Sequence, residues 1–325
     1  MLIDRKGKAS TLIMLVTVCV LFCLATLKVP CSWAAEKNDT AMSAKELWDR
    51  QYLYFQNISS LAFFSTSGLV FSEEMKQKQK LPIDKLETTM DFCLDGNKYR
   101  SEVSFLDVAR GKKDKAITAY NGQLYQIFQA NAASLTVSKS TENMMLLRYN
   151  PYMGMNQTLV PFLFAFHSTR DVRLADQPSI DTLKKPETWS HLVKDTGEIH
   201  QTNMNNRDGV SVTLKKEQED ITRKGIYEIF FATDLGYFPT YYKLTSLGGV
   251  LLFEVKILET QKCGSKNIII PLRIETKECF DDGKPAQSMI LEIDPKTLKV
   301  NEKISPEIFT IPATKEMLFT NLDQP

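Results

Sequence analysis

The sequence predicts a mainly β protein with a minority of helix, laid out as an antiparallel meander. Three observations predict it. Short runs rich in Val, Ile, Phe, Tyr and Thr recur at spacings of roughly 10–20 residues, joined by turn-forming residues. Two of these joins are Asp95-Gly96 and Asn121-Gly122, dipeptides suited to two-residue hairpin turns because both turn positions want positive φ. Only one segment of the first half has a clear helical period. No period of fixed length appears, so the chain is not a repeat array.

The chain opens on a leader. Asp4-Arg5-Lys6-Gly7-Lys8 is basic, Thr11 to Leu27 is apolar, and Lys28 to Ala35 supplies a proline and small residues. Ser32 and Ala34 fit the small positions of a signal peptidase site, which predicts a secretory signal peptide over residues 1–34 and a cut before Ala35. The other reading of the same run is an uncleaved N-terminal anchor. Phe22 and Pro30 stand before Cys23 and Cys31, where a lipobox needs a small residue. Loss of 1–34 removes four basic residues and one acid, so the net charge falls from +1 to −2. A near-neutral mature chain gives no electrostatic case for nucleic acid. Residues 35–325 are expected to form a single β domain.

That domain begins with the amphipathic helix. Ser43 reads as its N-cap, and Leu47, Trp48, Tyr52, Leu53 and Phe55 recur largely on one face up to Gln56-Asn57. Strands are then expected over 61–71, 88–94, 98–105, 116–120, 123–128 and 135–139. Lys76 to Lys80 (KQKQK) reads as a solvated loop. A more helical middle is expected over about 143–195. Strands resume over 210–214, 226–231, 241–244, 250–258, 267–275, 288–293 and 298–304.

The middle segment contains an unusual stretch, MMLLRYNPYMGMNQTLVPFLFAF at 144–166. It holds four of the chain's twelve methionines, three phenylalanines, two tyrosines and one formal charge, Arg148. Pro151, Gly154 and Pro161 break it well short of the ~20 apolar residues that a membrane span needs. Two readings stay open: ordinary core, or the wall of an apolar cavity, for which methionine's adaptable shape is suited.

Catalytic and metal motifs are missing. The three histidines, His167, His191 and His200, have no second ligand at metal spacing. There is no Gly-x-Ser-x-Gly elbow and no phosphate-cradling glycine loop. Asp281-Asp282-Gly283 reads as a turn, and the acids of 217–220 as a solvated tip. A carboxylate pair for hydrolysis leaves little local signature and stays open. No metal and no cofactor is expected. Cys93, Cys263 and Cys279 remain in the exported chain. Cys263 and Cys279 flank one apolar run and are the candidate disulfide, with three buried thiols as the alternative.

The C-terminal half carries a resemblance. Asp234, Gly236 and Pro239 lie in DLGYFPTYY, and Asn301, Ile304, Phe309 and Ile311 in KVNEKISPEIFTI. With the N-terminal helix, the long strand and the two hairpins, this pattern resembles the LolA-like superfamily of outer-membrane lipoprotein-sorting proteins, with LolB and RseB among its relatives. The resemblance runs through most of the mature chain, and this chain is longer than the carrier itself.

It implies a curved antiparallel half-barrel of about eleven strands with helices covering an apolar concave face. It also implies a periplasmic, non-enzymatic protein that binds a lipid acyl chain or a lipoprotein. The implied cavity lining is Phe63, Leu69 and Phe71 on the first long strand, Tyr125, and Met153, Met155, Phe162 and Phe166 from the cover. The alternatives are an RseB-like envelope sensor that binds a membrane-associated partner protein, and a secreted hydrolase.

Overall fold

Most of the described strands pair with a neighbour in sequence across a short turn. In the computed structural model, which describes residues 42–108, 110–140, 193, 196–216 and 224–323, fifteen strands form one sheet. The leader and most of the middle segment, including 144–166, lie outside the described residues.

Helix α1 (Ala44–Gln56) comes first. Ser43 Oγ accepts from Glu46 N at 3.2 Å, and the Glu46 carboxylate accepts from Ser43 N at 3.3 Å. This reciprocal box satisfies two end donors and fixes where the helix starts. A first group of strands follows: β1 (Ser60–Phe71), β2 (Lys85–Asp95), β3 (Lys98–Asp107), β4 (Lys112–Tyr120), β5 (Tyr125–Gln129) and β6 (Ser134–Ser138). Between β1 and β2 lies a short helix, α2 (Glu73–Gln79), capped by Ser72 Oγ. The KQKQK stretch therefore belongs partly to a helix and not to a loop. Glu73 and Glu74 in its first turn suit the helix dipole, and its one apolar side chain, Met75, is buried.

The second group is β7 (Thr196–Met204), β8 (Arg207–Lys216), β9 (Gly225–Ala232), β10 (Phe238–Thr245), β11 (Leu251–Cys263), β12 (Ile268–Cys279) and β13 (Pro285–Ile293), followed by β14 (Lys299–Val300) and β15 (Leu318–Asn321). Each group is a meander of its own. The two join where β1 pairs with β13, in the order β15-β6-β5-β4-β3-β2-β1-β13-β12-β11-β10-β9-β8-β7. The sheet is open, with β7 and β15 at its two ends. Two meanders and fifteen strands replace the single meander and the roughly eleven strands that the resemblance implies. All pairings are antiparallel except that of β15 with β6, which is parallel.

Register separates the two faces. One row of opposed residues crosses nine strands: Ile199, Val212, Ile229, Tyr242, Val255, Thr276, Met289, Leu69 and Leu86. All but Thr276 are apolar. The row behind it, on the other face, reads Thr213, Glu228, Lys243, Glu254, Lys277 and Ser288. Opposite charges alternate there, as suits a solvated sheet face. Lys243 Nζ lies 2.7 Å from Glu228.

α1 packs on the apolar face, which we call the front. Trp48 is fully buried, edge-on to Phe231 of β9 at 5.6 Å between ring centroids. Its indole nitrogen donates to Thr196 Oγ1 of β7 at 2.9 Å. Gln51 donates to the Tyr237 carbonyl and Tyr54 to the Ile269 carbonyl of β12. These contacts seat the helix over the β7–β12 side of the sheet.

The chain after β14 takes the opposite face of the β1–β6 side. Ile304 and Phe309 are buried against Ala62 and Cys93, and Ile311 against Ile117, Ala119, Leu135 and Val137. Gln126 of β5 is the polar anchor of this tail: its Oε1 accepts from Ile311 N at 2.9 Å and its Nε2 donates to the Phe309 carbonyl at 3.3 Å. β15 then closes onto β6. There the Asp323 carboxylate accepts from Ser138 Oγ at 2.6 Å and from Lys139 N at 2.7 Å.

Cys93, Cys263 and Cys279 are buried free thiols. The candidate bridge between Cys263 and Cys279 is overturned by register. Cys263 is opposite Ile268 at the start of β12, and Cys279 ends that same strand. At ~3.3 Å per residue the two lie ~36 Å apart, far beyond the ~7 Å that a disulfide allows between Cα atoms. Flanking one strand separates two cysteines; it does not bring them together.

Candidate functional site

The candidate site is the front face on the β1–β6 side, which continues the core that α1 covers through Leu47 and Trp48. Its rows follow from register. Leu61, Leu94, Tyr99, Tyr120 and Tyr125 oppose one another in sequence across β1 to β5, and the next row is Phe63, Phe92, Ser101, Thr118 and Ile127. Strand alternation puts them all on one side of the sheet. Phe63 and Phe92 meet at 5.2 Å between centroids, and both are buried.

A tyrosine ladder ends this face. Tyr99 and Tyr120 lie 6.3 Å apart, and Tyr120 and Tyr125 stack at 4.3 Å with ring planes only 20° apart. The Tyr120 hydroxyl donates to the Gly122 carbonyl at 3.0 Å, which ties the ladder to the Asn-Gly turn. In that turn Asn121 Oδ1 accepts from the backbone of Gln123 and Leu124 at 3.0 and 2.9 Å.

Of the residues named from the sequence, Phe63, Leu69, Phe71 and Tyr125 all point to this front side. They do not form one cluster. Phe63 belongs to the large core that also contains Leu47 and Trp48, with Tyr125 packed at its margin. Leu69 and Phe71 sit farther along β1 in a smaller cluster with Met75, Leu86 and Met289. The pleat explains the shared face; the separation falls at Ser65 and Ser67 of β1, where Ser67 Oγ shares a hydrogen bond with Thr88 Oγ1, and beyond them Met75 of α2 packs with Leu69 and Phe71. Met153, Met155, Phe162 and Phe166 lie outside the described residues.

Sequence reasoning missed the polar members of the face. Ser101 is 1 % exposed and Thr118 is 8 % exposed. Their signal was the polar positions inside otherwise alternating strands, β3 and β4. The motif residues of the C-terminal half have structural work. Asn301 Oδ1 accepts from Ser59 N at 2.6 Å and Ser59 Oγ at 2.9 Å, while its Nδ2 donates to the Asn57 carbonyl at 2.6 Å. Gly236 and Tyr237 both have φ of 66°, and Asp234 pairs with Arg207 at 3.1 Å.

Among the described residues one opposed pair of acids has shifted carboxyls. Asp91 and Glu102 oppose each other on β2 and β3, on the back of the sheet. Burial and then the Glu102 charge raise the Asp91 carboxyl above its ordinary value, against Arg100 and Lys115. Burial also works to raise Glu102, but hydrogen bonds from Lys115 and Arg100 outweigh it and hold that carboxyl low. The pair lies beside the C-terminal tail, where Arg100 donates to the Ile308 carbonyl at 3.3 Å. Burial, then Asp91, pushes the Cys93 thiol up to about 11, so it is no nucleophile at neutral pH.

A surface cleft of about 380 Å³ lies at the far end of β3 and β4, lined by residues that include Ser104, Arg110, Lys112, Lys113 and Asn131. Arg110 pairs there with Asp107 at 2.6 Å and lies 3.7 Å from Asp114. Among the described residues no group of three His, Cys, Asp or Glu comes together to hold a metal ion, and no helix is long and apolar enough to cross a membrane.

The fold and site define a mainly β protein on one open sheet, with a largely apolar front and a back that alternates charge over β9–β12. Solved structures run along similar lines. A protein of the DUF1329 family from Desulfovibrio piger matches with a TM-score of 0.46 at 8% identity, over 82% of this chain and 95% of that one. A LolA superfamily protein from Nitrosomonas europaea matches at 0.41 and 12%, over 83% and 99%. A domain named for outer membrane lipoprotein sorting, from Vibrio parahaemolyticus, matches at 0.42 and 10%, over 82% and 94%. No family model matches the sequence, and no curated protein does. The reading that follows is carried by this chain's own faces.

Proposed function

We propose that this protein is an exported, non-enzymatic binding protein that shields the acyl chain of a lipid or lipoprotein against the front of its sheet. One observation carries the reading: nine consecutive strands contribute an opposed row that is apolar at every position but Thr276, while the row behind it carries Glu228, Lys243, Glu254 and Lys277 on β9–β12. The hydrogen bonds of Trp48 and Tyr54 and the ring contact of Trp48 with Phe231 hold α1 over the β7–β12 side. On the β1–β5 side the front carries Phe63 and Phe92, both buried, and the half-buried Tyr120 and Tyr125, and in this reading the acyl chain lies against them. Removing an acyl chain from water there is favourable by about 0.8 kcal/mol per methylene.

In this reading the soft stretch at 144–166 is the cover, and Met153, Met155, Phe162 and Phe166 line the cavity with Phe63, Leu69, Phe71 and Tyr125. The leader delivers the chain across the inner membrane, and the motifs that resemble the lipoprotein-sorting superfamily agree with a periplasmic carrier. The test is displacement of a fluorescent fatty acid, run alongside a thermal melt. Met155→Glu or Phe162→Glu should abolish probe binding and leave the melt within a few degrees of wild type. A wild type that never binds the probe, with mutants that lose most of their Tm, would make the stretch ordinary core.

A second reading has one observation in its favour. Leu318 and Phe319 on β15 are 69 % and 59 % exposed, an apolar patch in the C-terminal part of the kind a partner-binding envelope sensor would use. Leu318→Ser with Phe319→Ser would leave acyl binding intact under the first reading and remove partner capture under the second.

A further inference from the structure

The apolar front face contains a buried serine hydroxyl without a hydrogen bond among the described residues. Ser101 sits in the middle of β3, and register surrounds it with Phe92 on one side, Thr118 on the other, and Tyr99 and Val103 along its own strand. It is 1 % exposed, and its hydroxyl has no hydrogen-bond partner among the described residues. Nearly all buried hydroxyls in folded proteins are partnered, and an alanine of nearly equal size would avoid the desolvation cost. Thr118, 8 % exposed, stands directly opposite on the same face. Two adjacent hydroxyls thus interrupt the row of Phe63 and Phe92, whereas Ser67 and Thr88, farther along the same face, hydrogen-bond each other.

We infer that Ser101, with Thr118 beside it, hydrogen-bonds the carbonyl at the head of an acyl ligand whose chain lies along Phe63 and Phe92. The inference rests on the acyl-shielding reading and deepens it: the ligand is an ester or amide of a fatty acid, not a bare hydrocarbon. The serine hydroxyl donates to the carbonyl oxygen, a bond that both ester and amide can accept. An apolar wall would hold any chain; a fixed donor inside it sets how far the chain enters.

The experiment uses the exported chain and the apolar fluorophore N-phenyl-1-naphthylamine, displaced by methyl decanoate, by N-methyldecanamide and by tridecane. The expected result is that at least one carbonyl ligand displaces the fluorophore about tenfold better than tridecane, as one charge-free hydrogen bond allows. Ser101→Ala should remove that preference, leave tridecane unchanged and not lower the Tm. Ser101→Cys, with a weaker donor of similar size, should fall between. Stronger displacement by the ester would indicate a glycerolipid-like head, and by the amide an N-acylated protein.

Equal displacement by all three compounds, or a preference that survives in Ser101→Ala, overturns the inference while the shielding reading stands. A fluorophore that never binds overturns both.

Discussion

At the scale of single residues, Asn301 shows how a short motif can be structural. It occupies a left-handed position, φ 61°, which asparagine tolerates better than alanine. From there its side chain ties the loop after α1 to the chain after β14. Asn301→Ala should cost about 2–3 kcal/mol in urea unfolding, from lost hydrogen bonds and added backbone strain. Asn301→Gly should cost about 1–2 kcal/mol, because glycine relieves the strain and not the bonding. Equal costs would mean that the conformation contributes nothing.

The opposed carboxylates of Asp91 and Glu102 make a prediction of opposite signs. Asp91 has a raised value in the fold, so its ionised form opposes folding; that penalty is fully present above the raised value and gone below the ordinary 3.8. Glu102 has a lowered value, so its ionised form favours folding; that gain is present above the ordinary 4.5 and lost as pH falls through the folded value. At pH 7, Asp91→Asn should raise the Tm and Glu102→Gln should lower it. Both differences should shrink toward zero by about pH 2. Melts that show the same sign for both variants would contradict the assignment.

At the scale of elements, α1 and the C-terminal tail each cover part of the sheet. Trp48→Ala removes the largest buried side chain of α1 and should cost about 3–5 kcal/mol. Phe309, fully buried in the tail, covers Cys93. The folded protein should resist a thiol reagent such as 5,5′-dithiobis(2-nitrobenzoate) at pH 8, and Phe309→Ala should make Cys93 reactive. Three thiols should be titrated after unfolding without reductant; fewer would signal a disulfide that register rules out.

The elements differ in how well the sequence announces them. α1 was legible to its cap, because Ser43 and Glu46 form the box and Leu47 and Trp48 follow at helical spacing. Strands such as β8 and β9 were legible from alternation and β-branched runs. β7 was not, since Thr196–Met204 is an edge strand with few buried side chains and no apolar period. β15 was not, since four mostly exposed residues have no pattern. Of the candidate site, alternation along β1 correctly put Phe63, Leu69 and Phe71 on one face. It could not show that Leu69 and Phe71 pack with Leu86 and Met289 and not with Phe63, or that Gln126 and Asn301 anchor the tail, because those contacts depend on pairings between strands.

At the scale of the whole molecule, two meanders joined at β1 and β13 make a sheet wider than either could alone, apolar on the front, charged behind β9–β12 and covered behind β1–β6 by the C-terminal tail. The cost of leaving such a front to water is met on the β7–β12 side by α1. The account assigns the β1–β5 side to an acyl ligand under its cover. The most direct measurement is native mass spectrometry of the protein purified without detergent from its own cell envelope. The account predicts a fraction of molecules carrying an added mass of one acylated lipid or lipopeptide, released on unfolding and absent from Phe63→Asp. A single mass equal to the bare exported chain, unchanged after incubation with lipid extract, would contradict it.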